Sequence, residues 1–579
     1  MEKSNTAEPV ATWRRIGTVV GNAGTAQFTF ILQQFQARVG DIVALGMEVP
    51  DAGYAGRSSI YVWARITGIQ RFNPFFPFEA AQEIAGQGIS LEDTVLSNTR
   101  DQLEAEALIL GATSEDDLRR LFPLTYPVKP AATVFHPPAD AIRELLIGGR
   151  GEGEDELNVR IGTLIARSDV EVTLDAAKLV ARHMAILAMT GGGKTVAARR
   201  ILRELAEKGY PLVILDPHGD YIGLTKAAAL LQKENPNCKV RVFYPELLVQ
   251  KDGEDLVGRL IGQMTTGLTD AQHEYLRGLF ERKPAREGEQ AFKYIGRLVE
   301  TQTADLKGAS APSGAPAGNW KPTVYVTGRN LRIVLDRLGR MEKTSDAMRK
   351  KLKNLPWEAL PSPFSQPEEI VRPNQVSVIY LGGYDHVTQC SIVALTMETL
   401  FEYRADLSGR IPPFFIAVEE AHTFIPSARE GTGDAVSLPI VRRIITEGRK
   451  FGTGLLLVSQ RPSRLDETIV SQCNSFLILR LVNPRDQNFV RSIMENLTDA
   501  DARMLPGFGP GQGIVSGQVV RFPLPVSVEM DKELLATEIG DENFFEQVGK
   551  WKPDPKSAKR ATLAQATATV DRNRTKRKF

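Results

Sequence analysis

Cysteine is scarce: the 579 residues hold three, Cys238, Cys390 and Cys473, far apart and without a CxxC pair. That pattern excludes a disulfide framework and offers no zinc site, so the three read as buried thiols. Long apolar runs are missing too. No stretch approaches the ~20 apolar residues of a membrane helix, and the N-terminus, MEKSNTAEPVATWRR, lacks the apolar run of a secretory signal. A cytoplasmic protein without membrane contact is the expectation. Charge of one sign is also absent in bulk: 71 Lys+Arg against 70 Asp+Glu leave a net +1. That balance argues neither for nor against a polyanionic partner, so local distribution has to decide. What remains is ordinary, 42% hydrophobic and 24% charged, which suits large buried cores. The length exceeds a single core and predicts two or three domains.

From Trp13 to about Ile69 short β-type runs (Ile16 to Val20, Gln27 to Leu32, Asp41 to Leu45, Ile60 to Ile69) are separated by breaks such as Gly21-Asn22-Ala23-Gly24. Such spacing predicts a small barrel or sandwich. The Glu, Leu and Ala-rich stretch Leu91 to Leu110 reads as a helical excursion, and Gly148 to Asp155 as a loop or hinge. After Ile161 apolar runs alternate with helical segments, which predicts an α/β sheet domain. Its candidate strands are Met184 to Ala188, Pro211 to Leu215, Val240 to Phe243, Val376 to Tyr380, Phe414 to Val418, Gly454 to Val458 and Phe476 to Leu481. A helical insertion over 245–365 separates the third from the fourth and carries a low-complexity loop, Lys307 to Gly318, expected to be mobile. The expected division is a flexible N-terminus (1–12), a β-rich domain (13–160), an α/β core (161–535) and a basic tail (536–579).

The segment Met184 to Thr195 runs from an apolar strand through Thr190, Gly191, Gly192 and Gly193 to Lys194 and Thr195, then into a helix near Val196. Consecutive backbone N–H groups and a helix N-terminus converge on phosphates in such a loop. Lys194 neutralises the β and γ groups and Thr195 reaches Mg²⁺, so ATP and Mg²⁺ are the predicted ligands. The usual first glycine of GxxxxGK[ST] is Ala188 here, which leaves the entry angle of the loop open.

A second apolar run, Phe414 to Val418, ends in Glu419-Glu420-Ala421-His422. Beside the phosphate loop, Glu419 would hold the metal shell and Glu420 would orient and polarise the attacking water. A third run, Gly454 to Val458, ends in Ser459-Gln460-Arg461-Pro462, and Gln460 is positioned to sense the γ-phosphate or hold the water. Between them, Arg449 in Thr446 to Gly452 offers a planar, permanent cation that a neighbouring subunit could present to a transferring phosphoryl group. A solvated arginine at a helix end is the other reading. Asp216, at the end of its own strand, could tune the metal or the water. His183 and His218 lack a third ligand at metal spacing and read as hydrogen-bonded structural histidines.

Together these pieces resemble the HerA family, ring-forming ATPases related to the FtsK and VirB4 motors. The resemblance rests on Arg182-His183 before Met189 to Thr195, Asp216-Pro217-His218-Gly219-Asp220-Tyr221, Glu419 to His422, Glu447 to Gly452 and Val458 to Pro462. It extends to Ile16 to Val19, Gly511 to Gly517 and Val526 to Val528, and so covers most of the chain except the insertion and the tail. It implies an N-terminal barrel like that of ATP synthase subunits, a RecA-like core and a homo-hexamer with double-stranded DNA in its pore. It makes Arg449 the trans-acting arginine finger and Arg182 a second nucleotide-contacting arginine. It also implies a partner: the nuclease NurA in DNA-end processing, or an antiviral effector such as a sirtuin-like NAD-consuming protein or another nuclease.

A translocase grips phosphates through Lys and Arg on pore-facing loops. Arg337, Arg340, Lys343, Arg349, Lys350, Lys351 and Lys353 in the insertion are available, although charges so spaced also suit a solvated helix face. The expected function is therefore an ATP-driven duplex-DNA translocase or helicase. Two alternatives stand beside it: a ring scaffold for an effector with nucleotide as a structural ligand, and a protein-unfolding ATPase.

Overall fold

Alternation of apolar and polar residues closes the N-terminal strands on themselves. In the computed structural model, β1 (Arg14–Val20), β2 (Gln27–Leu32), β3 (Ile42–Pro50), β4 (Arg57–Phe72), β5 (Gln102–Ser114) and β6 (Thr133–His136) form a closed barrel in the order β1-β2-β5-β4-β3-β6. The structure describes residues 13–531 apart from 34–35, 51–56, 73–101, 149–157, 226–227, 246–247, 250–252, 266–267, 287, 352–356, 361–365, 407–408, 429–434 and 495–496. The hinge read at Gly148 to Asp155 thus lies almost wholly outside the described residues, as do the N-terminal dozen residues and the basic tail.

Residues 102–110, read from composition as helical, are strand instead. Ala105 and Ala107 face the barrel interior while Glu106 faces solvent, and this period of two overrides the helical preference of Glu, Leu and Ala. On β4 the same period sorts two interfaces. Ile60, Val62, Ala64 and Ile66 fill the barrel; Tyr61 and Trp63 point outward into the core shared with the larger domain.

Arg65 lies on that outward face. Its guanidinium donates to Asp501 Oδ1 at 2.6 Å and to the Pro523 carbonyl at 2.9 Å, and both charged side chains are 2% exposed. Asp501 also accepts from the Thr498 hydroxyl at 2.8 Å, capping the helix Asp499–Met504. Removing one partner of a buried pair strands the other charge. Asp501→Ala is therefore expected to cost about 3–5 kcal/mol, read as a lower thermal midpoint, with Asp501→Asn costing clearly less.

Beyond the barrel, and apart from the short pair β12 (Leu248–Val249) and β13 (Glu289–Gln290), lies a 12-stranded sheet in the order β14-β11-β15-β10-β16-β17-β9-β18-β19-β20-β7-β8, with β14 (Trp357–Ala359) at its edge. Its parallel heart contains β11 (Lys239–Tyr244), β15 (Gln375–Tyr380), β10 (Leu212–Asp216), β16 (Phe414–Val418), β17 (Thr453–Ser459), β9 (His183–Leu187) and β18 (Ser475–Leu479). Helices cover both faces, so β9, β10, β16 and β17 are buried along their whole lengths and read in the sequence as unbroken apolar runs. The antiparallel flank, β19 (Gln512–Gly517), β20 (Leu524–Val528), β7 (Asn158–Leu164) and β8 (Glu171–Asp175), completes the doubly covered α/β core.

Ahead of the short helix Pro367–Ile370, the described residues between β11 and β15 form the helices Gly253–Met264, Asp270–Arg282, Ala291–Lys307 and Lys321–Lys351. The low-complexity loop between the last two is docked on the second. A Cβ on Gly278 would meet the Ser313 carbonyl at 2.3 Å, and Gly314, at φ +79, lies against Glu274 in the same way. No helix among the described residues is long and apolar enough to cross a membrane.

Candidate nucleotide-hydrolysis site

Because β9, β10, β16 and β17 are parallel, their C-terminal ends share one edge, where the loops of an open α/β sheet meet a ligand. The register levels them: Leu215 pairs with Val418, Val418 with Leu457 and Leu457 with Ala185. Lys194, Glu419, Glu420, Gln460 and Asp216 therefore all come from a single rim.

After β9 the chain turns through Gly191 (φ +76) and Gly193 (φ +94) into the helix Lys194–Glu207, which Gly193 caps. The backbone of Gly511 lies across this turn: its N–H donates to the Gly192 carbonyl at 3.0 Å, and a Cβ on Gly193 would sit 2.8 Å from its nitrogen. Glycine is thus needed at 193 for conformation and for space. Ala188 fits where the common motif has glycine. It donates to the Ser459 carbonyl at 3.2 Å, and its methyl faces Gly192, where a Cβ would lie 3.1 Å away.

Lys194 Nζ lies 2.6 Å from Glu419 Oε1 and 3.0 Å from Glu420 Oε1, and both carboxylates are almost fully buried. Burial pushes Glu419 up to about 7 against the opposing pull of Lys194. Burial also works against ionisation of Glu420, but His422 and Lys194 outweigh it and hold that carboxyl below its usual value. For Lys194, burial is outweighed by the two acids, which hold the ammonium charged. Glu420 takes a left-handed backbone, φ +51 and ψ +46, a conformation that disfavours residues with a Cβ and collects at functional sites.

Tyr221, outside the predicted set, donates its hydroxyl to Glu419 Oε2 at 2.7 Å. Asp216 serves that contact at one remove. It is wholly buried, and its oxygens accept the N–H groups of His218, Gly219, Asp220 and Tyr221 at 2.7–3.2 Å. Both oxygens face this turn, so Asp216 reaches the site through Tyr221 rather than directly at a nucleotide or metal. Thr190 donates its hydroxyl to Gln460 Oε1 at 2.9 Å, tying the phosphate loop to the end of β17. Thr195 and Val196 open the first turn of the helix behind the loop.

Residues 159–400 match the family model described as the central domain of the helicase HerA. A DNA double-strand break repair helicase HerA of Pyrococcus furiosus is 27% identical over 75% of this chain and 79% of its own length. A probable helicase of Methanocaldococcus jannaschii is 25% identical over 89% of this chain and 90% of its own. These matches support a HerA-family protein. Among solved structures, VirB4 of Thermoanaerobacter pseudethanolicus is similar at a TM-score of 0.43 and 13% identity, covering 67% of this chain and 100% of that one.

Two residues of the HerA-like set stand apart from the rest. Arg182 precedes β9, and Arg449 lies in the last turn of the helix Leu438–Phe451, which leads through Gly452 into β17. Both therefore occupy the N-terminal edge of the sheet, about 20 Å of strand from the phosphate loop. The two guanidiniums are neighbours, since partial burial and the charge of Arg449 together lower the pKa of Arg182. His183 is buried beneath Gly448. Burial pushes it down to about 4, against the opposing pull of a hydrogen bond to the Ile445 backbone, so it is the neutral, hydrogen-bonded structural histidine expected there.

Among the described residues no group of three or more His, Cys, Asp or Glu side chains could hold a metal. Magnesium beside a triphosphate needs only one or two protein oxygens, the rest coming from phosphate and water. The oxygen donors Thr195 and Glu419 suit that requirement, with Glu419 freed once Lys194 turns to a phosphate.

Proposed function

We propose that this HerA-family chain hydrolyses ATP to move double-stranded DNA through the pore of a homo-hexameric ring. The observation that carries the reading is Lys194 held between two buried glutamates at the rim of a parallel sheet. Once a triphosphate draws Lys194 away, Glu419 and Thr195 would hold Mg²⁺, whose charge would offset that of the phosphates, and Glu420 polarises a water. The water oxygen bonds to the γ-phosphorus, the bridge to ADP breaks and the proton passes to Glu420. Gln460 senses the γ-phosphate, and Arg449 and Arg182 of a neighbouring protomer meet the transferring group.

DNA as the track is supported by the P. furiosus relative, a DNA double-strand break repair helicase. We assign residues 13–160 to the barrel domain, 161–535 to the RecA-like core with its 245–365 insertion, and 536–579 to a basic tail. A nuclease of the NurA kind or an antiviral effector, such as a sirtuin-like NAD-consuming protein, is the proposed partner in the cytoplasm.

The test is ATP hydrolysis by the purified ring with and without linear duplex DNA, together with displacement of a triplex-forming strand from that duplex. Stimulated hydrolysis with strand displacement is expected. Hydrolysis indifferent to DNA, in a ring that still holds its effector, would favour the scaffold instead.

A further inference from the structure

Behind Glu420 stands a residue that the hydrolytic scheme leaves without a role. His422 lies on the turn Ala421–Thr423, and its Nδ1 is 3.2 Å from Glu420 Oε2 and 3.3 Å from Ser459 Oγ. Ser459 is the last residue of β17 and fully buried, and its Oγ accepts the N–H of Arg461 at 3.1 Å. Gln460 lies between those two residues and holds the Thr190 hydroxyl of the phosphate loop. Sheet register makes this meeting possible. Val418 pairs with Leu457, so Glu420 and Ser459, each two residues further on, end their strands at one level.

We infer that His422 is a positioning residue, which aims the Glu420 carboxylate and anchors that aim to the end of β17 beside Gln460. The inference rests on the ATP-hydrolysis reading. Glu420 has two polar neighbours in the site, Lys194 on Oε1 and His422 on Oε2. A lysine that turns to the β and γ phosphates cannot also hold Glu420, so the arrival of nucleotide removes the first neighbour and leaves the second. With Nδ1 protonated, the ring donates to Oε2 and leaves Oε1 facing the position Lys194 has left, where the attacking water must stand.

Two further observations show that Glu420 needs such a holder. Its backbone is in the left-handed region, so local conformation does not fix its side chain in a relaxed well. Its Oε2 is buried yet closes no hydrogen bond of full geometry, which leaves room for the His422 contact to tighten when Lys194 departs. Ser459 competes for the same Nδ1. A shift of β17 that follows Gln460 therefore reaches Glu420 through one imidazole, which links the phosphate sensor to the water-activating acid.

The experiment compares steady-state ATPase and the affinity for a non-hydrolysable ATP analogue in the full-length ring. His422→Phe keeps ring volume without a donor, His422→Asn places an amide N–H where Nδ1 stands, and His422→Gln places it one atom further out. Loss of an orienting partner typically costs about 10–100-fold in activity. His422→Phe is expected to lose kcat by that factor, with KM and analogue affinity within about threefold. His422→Asn should recover most of the loss and His422→Gln little of it. Should the Phe variant not assemble, the Asn and Gln pair carries the same contrast. Wild-type kcat in His422→Phe, loss of affinity in step with kcat, or equal rates in the Asn and Gln variants would each overturn the assignment. A wild-type ring that hydrolyses no ATP would instead sink the underlying reading.

Discussion

Glu420→Gln is expected to lower ATP hydrolysis by ~10²–10⁴-fold while the ring still binds nucleotide, whereas Lys194→Ala is expected to lose both. The two differ because of what each side chain touches. Glutamine keeps the shape of Glu420 and can keep its contact with His422 at Oε2, but it takes no proton from water, so the loss falls on the chemical step. Lys194 contributes its charge to bound phosphates, and a charge-assisted hydrogen bond is worth roughly 1.5–3 kcal/mol, so nucleotide affinity should fall by about 10–100-fold. In the nucleotide-free state Lys194→Ala also leaves Glu419 and Glu420 facing one another without the ammonium that now bridges them at 2.6 and 3.0 Å. That variant should therefore melt earlier than Glu420→Gln. Fluorescent-nucleotide titration, phosphate release and a melting curve on each variant separate these outcomes. Normal hydrolysis by both would end the case for this site.

The residues proposed to do the chemistry are legible because each follows an apolar run. β9, β16 and β17 are buried on both faces, so past His183 and Thr453 at their starts they carry no polar position until the chain reaches the rim, and the first polar residues met there are the site candidates. The positioning residues are harder to read. Tyr221 meets Glu419 because four backbone N–H groups fold its turn around Asp216, and no local pattern distinguishes a carboxylate that folds a turn from one that meets a ligand. His422 meets Ser459 only because β16 and β17 pair in a particular register, which is a long-range fact. The barrel shows the converse problem. β5 looks helical by composition and becomes a strand because its alanines alternate inward between β2 and β4. The runs ending at Ala188, Leu215 and Val418 are thus visible one at a time, while the antiparallel flank and the contacts across strands are set by pairing.

Arg449 provides the sharpest test of whether the active unit is the chain or the ring. It occupies the N-terminal edge of the sheet and its own phosphate loop the opposite edge, a separation no side chain spans, so service to a nucleotide requires a second protomer. An arginine supplied in trans is worth ~10³–10⁵ in kcat, and Arg449→Ala should lose hydrolysis on that scale while binding nucleotide normally. Lys194→Ala is inactive for a different reason, and its Arg449 is intact. Mixed in equal amounts and reassembled, the two inactive variants should recover activity. A working interface needs an intact loop on one side and an intact arginine on the other, which random assembly supplies at about a quarter of interfaces in a closed ring. Recovery of roughly that fraction of wild-type activity would place Arg449 in trans. A mixture as inactive as its components, in rings shown by native mass spectrometry to contain both variants, would mean that Arg449 does not complete a neighbour's site. The paired guanidiniums of Arg182 and Arg449 would then have to be explained by something other than a phosphate. The same mixture with Arg182→Ala in place of Arg449→Ala asks whether the second arginine works across the same interface.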